Sequence, residues 1–438
     1  MKNILIAIRS IFKKGRHNVM KIVSLGIGLA VGLVLIAKVY FEQSYDDFYP
    51  DRDRVYQVWA KYQQNGGELK DYPQTSGGIA PTMQQQIPEI ETVTRYTSFG
   101  DWTFTMTDTK MKYSGRCIIA DSCFFDILPR PMLIGNAKEV LSTPMYVLVS
   151  SRIAKNIGGD VIGKNFTVDS SPGRTMTIGG VFEEVPENSH SRYDVIVSMA
   201  SASRFMWEGS PTNMLGNDRY ISYVKLHKGV NPLALEEQVH TFVNSYFPPE
   251  EQQKTGFNIG FSFHELDGLH KELPQVKRMT WILSLLAFAL IFTAVMNYIL
   301  IVISSIVNRS KEVAVHKCYG ASENNIHGMM FGEALVHIVL SLILALLLIL
   351  AFRGTVEELL ATSLDSLLLS NGSLVLLGIC ILVFFVSGFM PGSLYARIPV
   401  ASAFRNYREN KRIWKKALLL VQFVATGFLV TMLVFVAR

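Results

Sequence analysis

The sequence predicts an integral membrane α-helical protein of four to five transmembrane helices, with a large mixed α/β extracytoplasmic domain inserted between helices 1 and 2. Three observations carry that class. Apolar stretches of about 20 residues, the length a helix needs to cross a hydrocarbon core while satisfying its own backbone, recur along the chain. A long polar interval, residues 42–278, separates the first two of them. Lys and Arg crowd the short flanks that would share one side of the membrane. The composition agrees: 49% of the 438 residues are hydrophobic, yet 18% are charged.

The elements follow in order. Residues 1–21 place Ile4, Leu5, Ile8, Ile11 and Phe12 at helical spacing, with Lys2, Arg9 and Lys13 off that stripe. This predicts a cytoplasmic amphipathic helix on the inner membrane surface; the other reading is a basic topogenic tail. A cleavable signal peptide is not expected, because the apolar run is longer than a signal's core and no small-x-small site follows it. Helix 1, residues 22–41, holds one charge, Lys38, expected to snorkel toward the headgroups. Its Gly28-x-x-x-Gly32 pattern makes Gly28 and Gly32 candidates for close helix packing, with a dimer face as one use. Helix 2 (279–307) is uncharged and long. Helix 3 (334–352) contains His337, expected to pack rather than relay protons, and helix 4 spans 373–395. A basic linker (396–416) precedes a fifth apolar run, 417–437.

Orientation follows from charge. The flank before helix 1 and the linker 396–416 are both rich in Lys and Arg, whereas the connector between helices 3 and 4 carries Glu357, Glu358 and Asp365. The amino terminus is therefore expected inside and residues 42–278 outside. The net charge of +6 reads as topology, not as a nucleic-acid footprint.

The external interval mixes strand-like runs (Arg54–Ala60, Met145–Val149, Thr175–Val181) with helical ones (Pro232–Phe247, Ser151–Ile157). Asp194–Met206 reads as a strand running into a helix. Cys117 and Cys123 are expected as buried free thiols, or as a pair in an oxidising compartment. No zinc spacing, Walker A loop or hydrolase motif is present, so no metal, cofactor or catalytic residue is expected. Asn188, Ser189, His190 and Asp194 read as a structured loop. The acidic run Asp46, Asp47, Asp51 and Asp53 reads as a solvated turn balanced by Arg52 and Arg54.

Residues 308–333 are the most informative. Charged positions continue helix 2 into water, Gly320 is a natural helix stop, and Ser322 can cap a short amphipathic helix carrying Ile326, Met329, Met330 and Phe331. Such a segment suits docking to a cytoplasmic partner; a polar turn with a snorkelling face is the other reading.

The stretch KEVAVHKCYGAS (Lys311–Ser322) resembles the signature of the FtsX-like ABC permeases, the family of the macrolide exporter MacB and the lipoprotein-releasing permeases. Four further segments are similar to family elements in the same order: ADSCFFDILPRPMLIGN (Ala120–Asn136), VIGKNFTV (Val161–Val168), GVFEEVPENSHSRYD (Gly180–Asp194) and RIPVASAFR (Arg397–Arg405). The resemblance implies a MacB-like periplasmic core domain at 42–278. It also implies a permease subunit in a bacterial inner membrane that hydrolyses no ATP itself. Its partners would be a cytoplasmic ABC ATPase, a second permease half or a second copy, and a periplasmic adaptor or envelope partner. Coupling to the ATPase would fall on Lys311, Glu312, Lys317, Gly320, Ala321 and Ser322. His316 and Cys318 depart from the family's usual residues, which leaves the identity of the partner open. Residues 412–438 resemble the start of the second half of duplicated permeases. A first half of a longer permease is therefore expected, the alternative being a five-span variant. Export, mechanical activation of an envelope enzyme and membrane sensing remain as functional alternatives; against sensing, the inner loops are all short.

Overall fold

The computed structural model describes residues 17–169, 171–368 and 372–396, together with 400, 416, 419–427 and 431. Most of the predicted amino-terminal helix, of the linker 396–416 and of the run 417–437 lies outside the described residues. The chain divides into two compact units: Ser44–Leu273, and the residues on either side of it.

The flanking residues form a helical bundle. Its elements are α1 (Asn18–Gln43), α2 (Pro274–Ser304), α3 (Ile306–Cys318), α4 (Glu323–Ala351), α5 (Arg353–Leu360), α6 (Leu364–Leu368) and α7 (Ser373–Ala396). Among the described residues, α1, α2, α4 and α7 are long and apolar enough to cross a membrane. Helix α1 packs on both α2 and α4, and α4 packs on α7. Leu25, Leu29, Ile299, Ile303 and Ala345 are fully buried at the centre. A Cβ built on Gly28 would meet the Ala294 side chain, and one on Gly32 would meet Ile291. Both glycines thus bring α1 close to α2 of the same chain, where van der Waals contact between small residues holds membrane helices together.

Three sequence expectations change here. Lys38 does not snorkel. Helix α1 runs on to Gln43, which places Glu42 one turn beyond Lys38 on the same face. The Lys38 ammonium is buried, 2.6 Å from the Glu42 carboxylate and 2.7 Å from the Thr362 hydroxyl. Second, helix 2 does not continue unbroken into the following polar stretch, because the helix is interrupted at Ser305. There the hydroxyl donates to the Val302 carbonyl at 2.6 Å and lies 3.1 Å from the Tyr395 hydroxyl. Third, no separate short helix precedes helix 3. Helix α4 runs unbroken from Glu323, because Ile326, Met330, Ala334 and Ile338, each four residues apart, form one buried stripe that spans the expected boundary.

In the Ser44–Leu273 unit, eleven strands among the described residues form one sheet. They are β1 (Val55–Gln64), β2 (Lys70–Tyr72), β3 (Ile90–Met106), β4 (Lys112–Ala120), β5 (Met132–Ile134), β6 (Tyr146–Ser150), β7 (Asn165–Val168), β8 (Ser171–Phe182), β9 (Val195–Ser198), β10 (Ile221–Leu226) and β11 (Phe257–Glu265). The order is β11-β1-β10-β3-β4-β9-β6-β8-β5, and β2 adds to β1. Strand β7 pairs with both β3 and β8, so β3-β4-β9-β6-β8-β7 close into a ring. Closure removes free edges from those six strands. Phe104, Phe166, Met176, Ile178, Val147 and Val195 form one buried core of this part. At the other end, the helix Glu236–Tyr246 lays Val239, Phe242 and Val243 on Val58 and Val224. Pro232–Leu235 is a 3-10 turn whose first amide donates to the Asn231 side chain.

Asp46 is another correction. Its side chain is buried, not solvated. The Ser189 hydroxyl donates to it at 3.0 Å, the His190 amide donates at 3.3 Å, and the His190 Nδ1 lies 2.7 Å away. Of the acidic run, Asp47 and Asp51 do pair with Arg52 and Arg54 at the surface. Cys117 and Cys123 are free thiols, and burial pushes both up from the ordinary thiol range.

Candidate coupling segment

Helix α3 ends in a motif that the backbone defines fully. Gly320 sits at φ +86°, a conformation open to glycine and costly for a residue with a Cβ. Its amide donates to the Lys317 carbonyl at 3.0 Å, and the Ala321 amide donates to the His316 carbonyl at 3.0 Å. That pair of bonds is a Schellman closure, which satisfies carbonyls that the helix end would otherwise leave open. Two residues on, Ser322 is in extended conformation and its hydroxyl accepts the Asn325 amide at 3.3 Å, capping α4. Glu323 then stands in the first turn, where a negative charge opposes the helix dipole favourably.

Four of the six predicted coupling residues meet at this turn, in different roles, and Lys311 and Glu312 stand farther back on α3. Gly320, Ala321 and Ser322 shape the backbone. Lys317 anchors it: its ammonium donates to the Ala396 carbonyl at the end of α7 at 2.6 Å. Lys311 is exposed and Glu312 half-buried on α3. Beneath the turn, Val313, Ala314, Ile326 and Met330 are buried. Above it, Tyr319 is 89% exposed and Val315 43% exposed. The sequence reading missed these two. Their signal was present, since an aromatic and a β-branched residue flank a helix stop amid polar neighbours, but which face they occupy depends on how α3 packs.

The ring of His327 stacks on Phe389 at 6.1 Å between centroids, joining the second turn of α4 to α7. With Ser305–Tyr395 and Lys317–Ala396, these contacts fasten both sides of the turn to α7. His337 is buried, with Nδ1 3.2 Å from the Tyr298 hydroxyl.

In the large domain, Asp46, His190 and Ser191 have the order of an acid, a base and a nucleophile. The Ser191 hydroxyl lies 3.0 Å from His190 Nε2. It is buried, however, and also bonded to the Tyr96 hydroxyl at 2.6 Å, while the Tyr223 hydroxyl is bonded to the same Nε2. The arrangement seals the serine, where a nucleophile must face substrate. Burial raises the Tyr96 phenol to about 12, and burial raises Tyr223 also. Among the described residues no group of His, Cys, Asp and Glu is placed to hold a metal.

Residues 284–400 match the FtsX-like permease C-terminal family. Among solved structures, a domain described as belonging to a permease from Porphyromonas gingivalis is 32% identical. The match covers 50% of this chain and 91% of that one, with a TM-score of 0.46. The extracellular domain of the noncanonic ABC-type transporter YknZ from Gram-positive bacteria is 10% identical. That match covers 47% of this chain and 98% of the other, at a TM-score of 0.33. No curated protein matches the chain. The segment that holds α3, α4 and the Gly320 turn therefore belongs to the FtsX-like permease C-terminal family, in a chain whose long helices are apolar enough to cross a membrane.

Proposed function

We propose that this chain is the permease subunit of an ABC-type complex, passing ATP-driven conformational change from a cytoplasmic ATPase to its extracytoplasmic domain for export or release of a substrate at the cell envelope. It sits in the inner membrane with its amino terminus in the cytoplasm and works beside a second permease copy or half. The observation that carries this reading is the turn at Gly320. It is rigidly closed, footed on buried residues and tied to α7, yet it offers Val315 and Tyr319 to solvent. A stiff protrusion with an apolar tip suits docking to a partner, because little conformational entropy is lost when a preorganised surface binds.

Motion of the partner would tilt α3 and α4 through this turn. Helix α1 packs along α4 and is continuous in sequence with the large domain at Ser44, so movement of the bundle reaches that domain through the chain itself. A periplasmic adaptor or envelope enzyme would receive it there.

The test is affinity purification of the full chain from its native host, beside a Tyr319→Ala variant. Recovery of an ABC ATPase with the wild type, and at least tenfold less with the variant at unchanged melting temperature, is the expected result. An intact wild-type chain that brings down no ATPase overturns the reading.

A further inference from the structure

Helix α1 carries two lysines inside the bundle, and both are buried. The Lys21 ammonium lies 3.5 Å from the Glu333 carboxylate on α4 and 3.3 Å from the Asn18 side-chain oxygen. Seventeen residues on, about 25 Å along a helix, the Lys38 ammonium is held by Glu42 and by Thr362, in the connector between α5 and α6. It also stands 5.0 Å from the centre of the Phe41 ring. Between these two levels α1 packs mainly through small and apolar groups, and two polar contacts stand among the described residues. The Ser341 hydroxyl of α4 donates to the Ile22 carbonyl at 3.1 Å, and Asn297 of α2 donates to the Ser24 hydroxyl at 2.8 Å.

Two ion pairs in such surroundings are poor sources of stability. Taking charges out of water is costly, and apolar residues of the same volume often hold a fold as well or better. What a buried pair between two helices does supply is register, because any other alignment of α1 on α4 parts Lys21 from Glu333 in a low-dielectric interior. Lys38 and Glu42 share α1 and slide together, so there only the bond to Thr362 would part. Apolar packing between membrane helices lacks that penalty: a Leu meets another Leu one turn away almost equally well.

We propose that the Lys21–Glu333 pair is a register pin that locks α1 against α4, so that α1 cannot slide along its axis when the turn at Gly320 is displaced. The pinning stands on the geometry alone; its use in transmitting motion rests on the permease reading above. Under that reading, α1 tilts with α4 as one body, and the domain that follows Ser44 is moved by tilt instead of by piston-like sliding.

The experiment uses the full chain in lipid nanodiscs, with its native cysteines replaced and spin labels at Val19 and Leu350, both exposed positions near opposite ends of α1 and α4. Pulsed dipolar spectroscopy reads the distance distribution. The native pair is expected to give a single narrow population. Lys21→Met with Glu333→Leu is expected to melt no lower than wild type, yet to add a population displaced by about one helical turn, roughly 5 Å. Lys21→Glu with Glu333→Lys is expected to restore the single population. A single narrow distribution in the apolar double variant overturns the proposal, as does a broad one in the native chain. Because no ATPase enters the measurement, its failure is distinct from failure of the permease assignment.

Discussion

The Asp46 carboxylate and the His190 ring meet 2.7 Å apart inside the large domain, joining residues that are far apart in the chain. Asp46 holds a left-handed backbone at φ +59°. Asn188 clasps the residues beside it, donating its side-chain amide to the Ser44 carbonyl at 2.6 Å and accepting the Asp46 amide at 2.9 Å. Replacing His190 by Ala leaves the buried carboxylate short of a partner, a loss of about 3 kcal/mol. The urea midpoint of the full chain in detergent, read from tryptophan fluorescence, should fall accordingly. Asp46→Asn, which keeps an acceptor for Ser189 and for the His190 amide, should lose less.

Gly320→Val should disturb the turn and little else. A β-branched residue at φ +86° is strained by roughly 1–2 kcal/mol. Hydrogen exchange at residues 316–322 should speed up while the melting temperature of the whole chain stays within a few degrees.

Close approach of α1 to α2 predicts that Gly28→Leu is far worse than a like change on an open face. The new side chain would overlap Ala294, and overpacking a membrane interface costs roughly 1–3 kcal/mol. A reduced folded fraction on size-exclusion chromatography would record it. Val31→Leu, at an exposed position of the same helix, should leave the elution profile unchanged.

Asp51 gives the domain an acid-sensitive point. Hydrogen bonds from Lys225 and then Arg54 hold its carboxyl below the ordinary range. The folded form therefore takes up its proton at lower pH than the unfolded form. The stabilisation is complete above the unfolded value of about 4 and is lost as pH falls through the folded one. Lys225→Met should move the acid-unfolding midpoint to higher pH, measured by circular dichroism.

Thiol chemistry should separate the cysteines by place. Cys318 is exposed beside the Gly320 turn, whereas Cys117 is buried and pushed up by that burial. A soluble maleimide should modify Cys318 within minutes and reach Cys117 only after unfolding, as mass spectrometry of digests would show. Under the proposed permease function, an ATPase docked at this turn would protect Cys318.

Legibility in the sequence follows the range of the forces involved. The helices and the polar interval could be read because bilayer crossing is a local requirement on about 20 consecutive residues. The Gly320 stop and the Ser322 cap were equally legible, since both act within one turn of chain. The clasp on Asp46 was not, because its partners lie far along the chain and nothing in an acidic run says which member will be buried. Lys38 was misread for the same reason. A lone lysine near a helix end normally reaches for water, and only the approach of Thr362 and the extension of α1 to Glu42 turned it inward.

What the sequence alone determined is the layout: an apolar helix, a mixed α/β domain, then further apolar helices around one capped turn. The tertiary structure decided which charges go inside and which faces meet. Those outcomes rest on pairing between distant segments, where the penalty for burying an unpartnered charge selects a single alignment from many that apolar contact would allow.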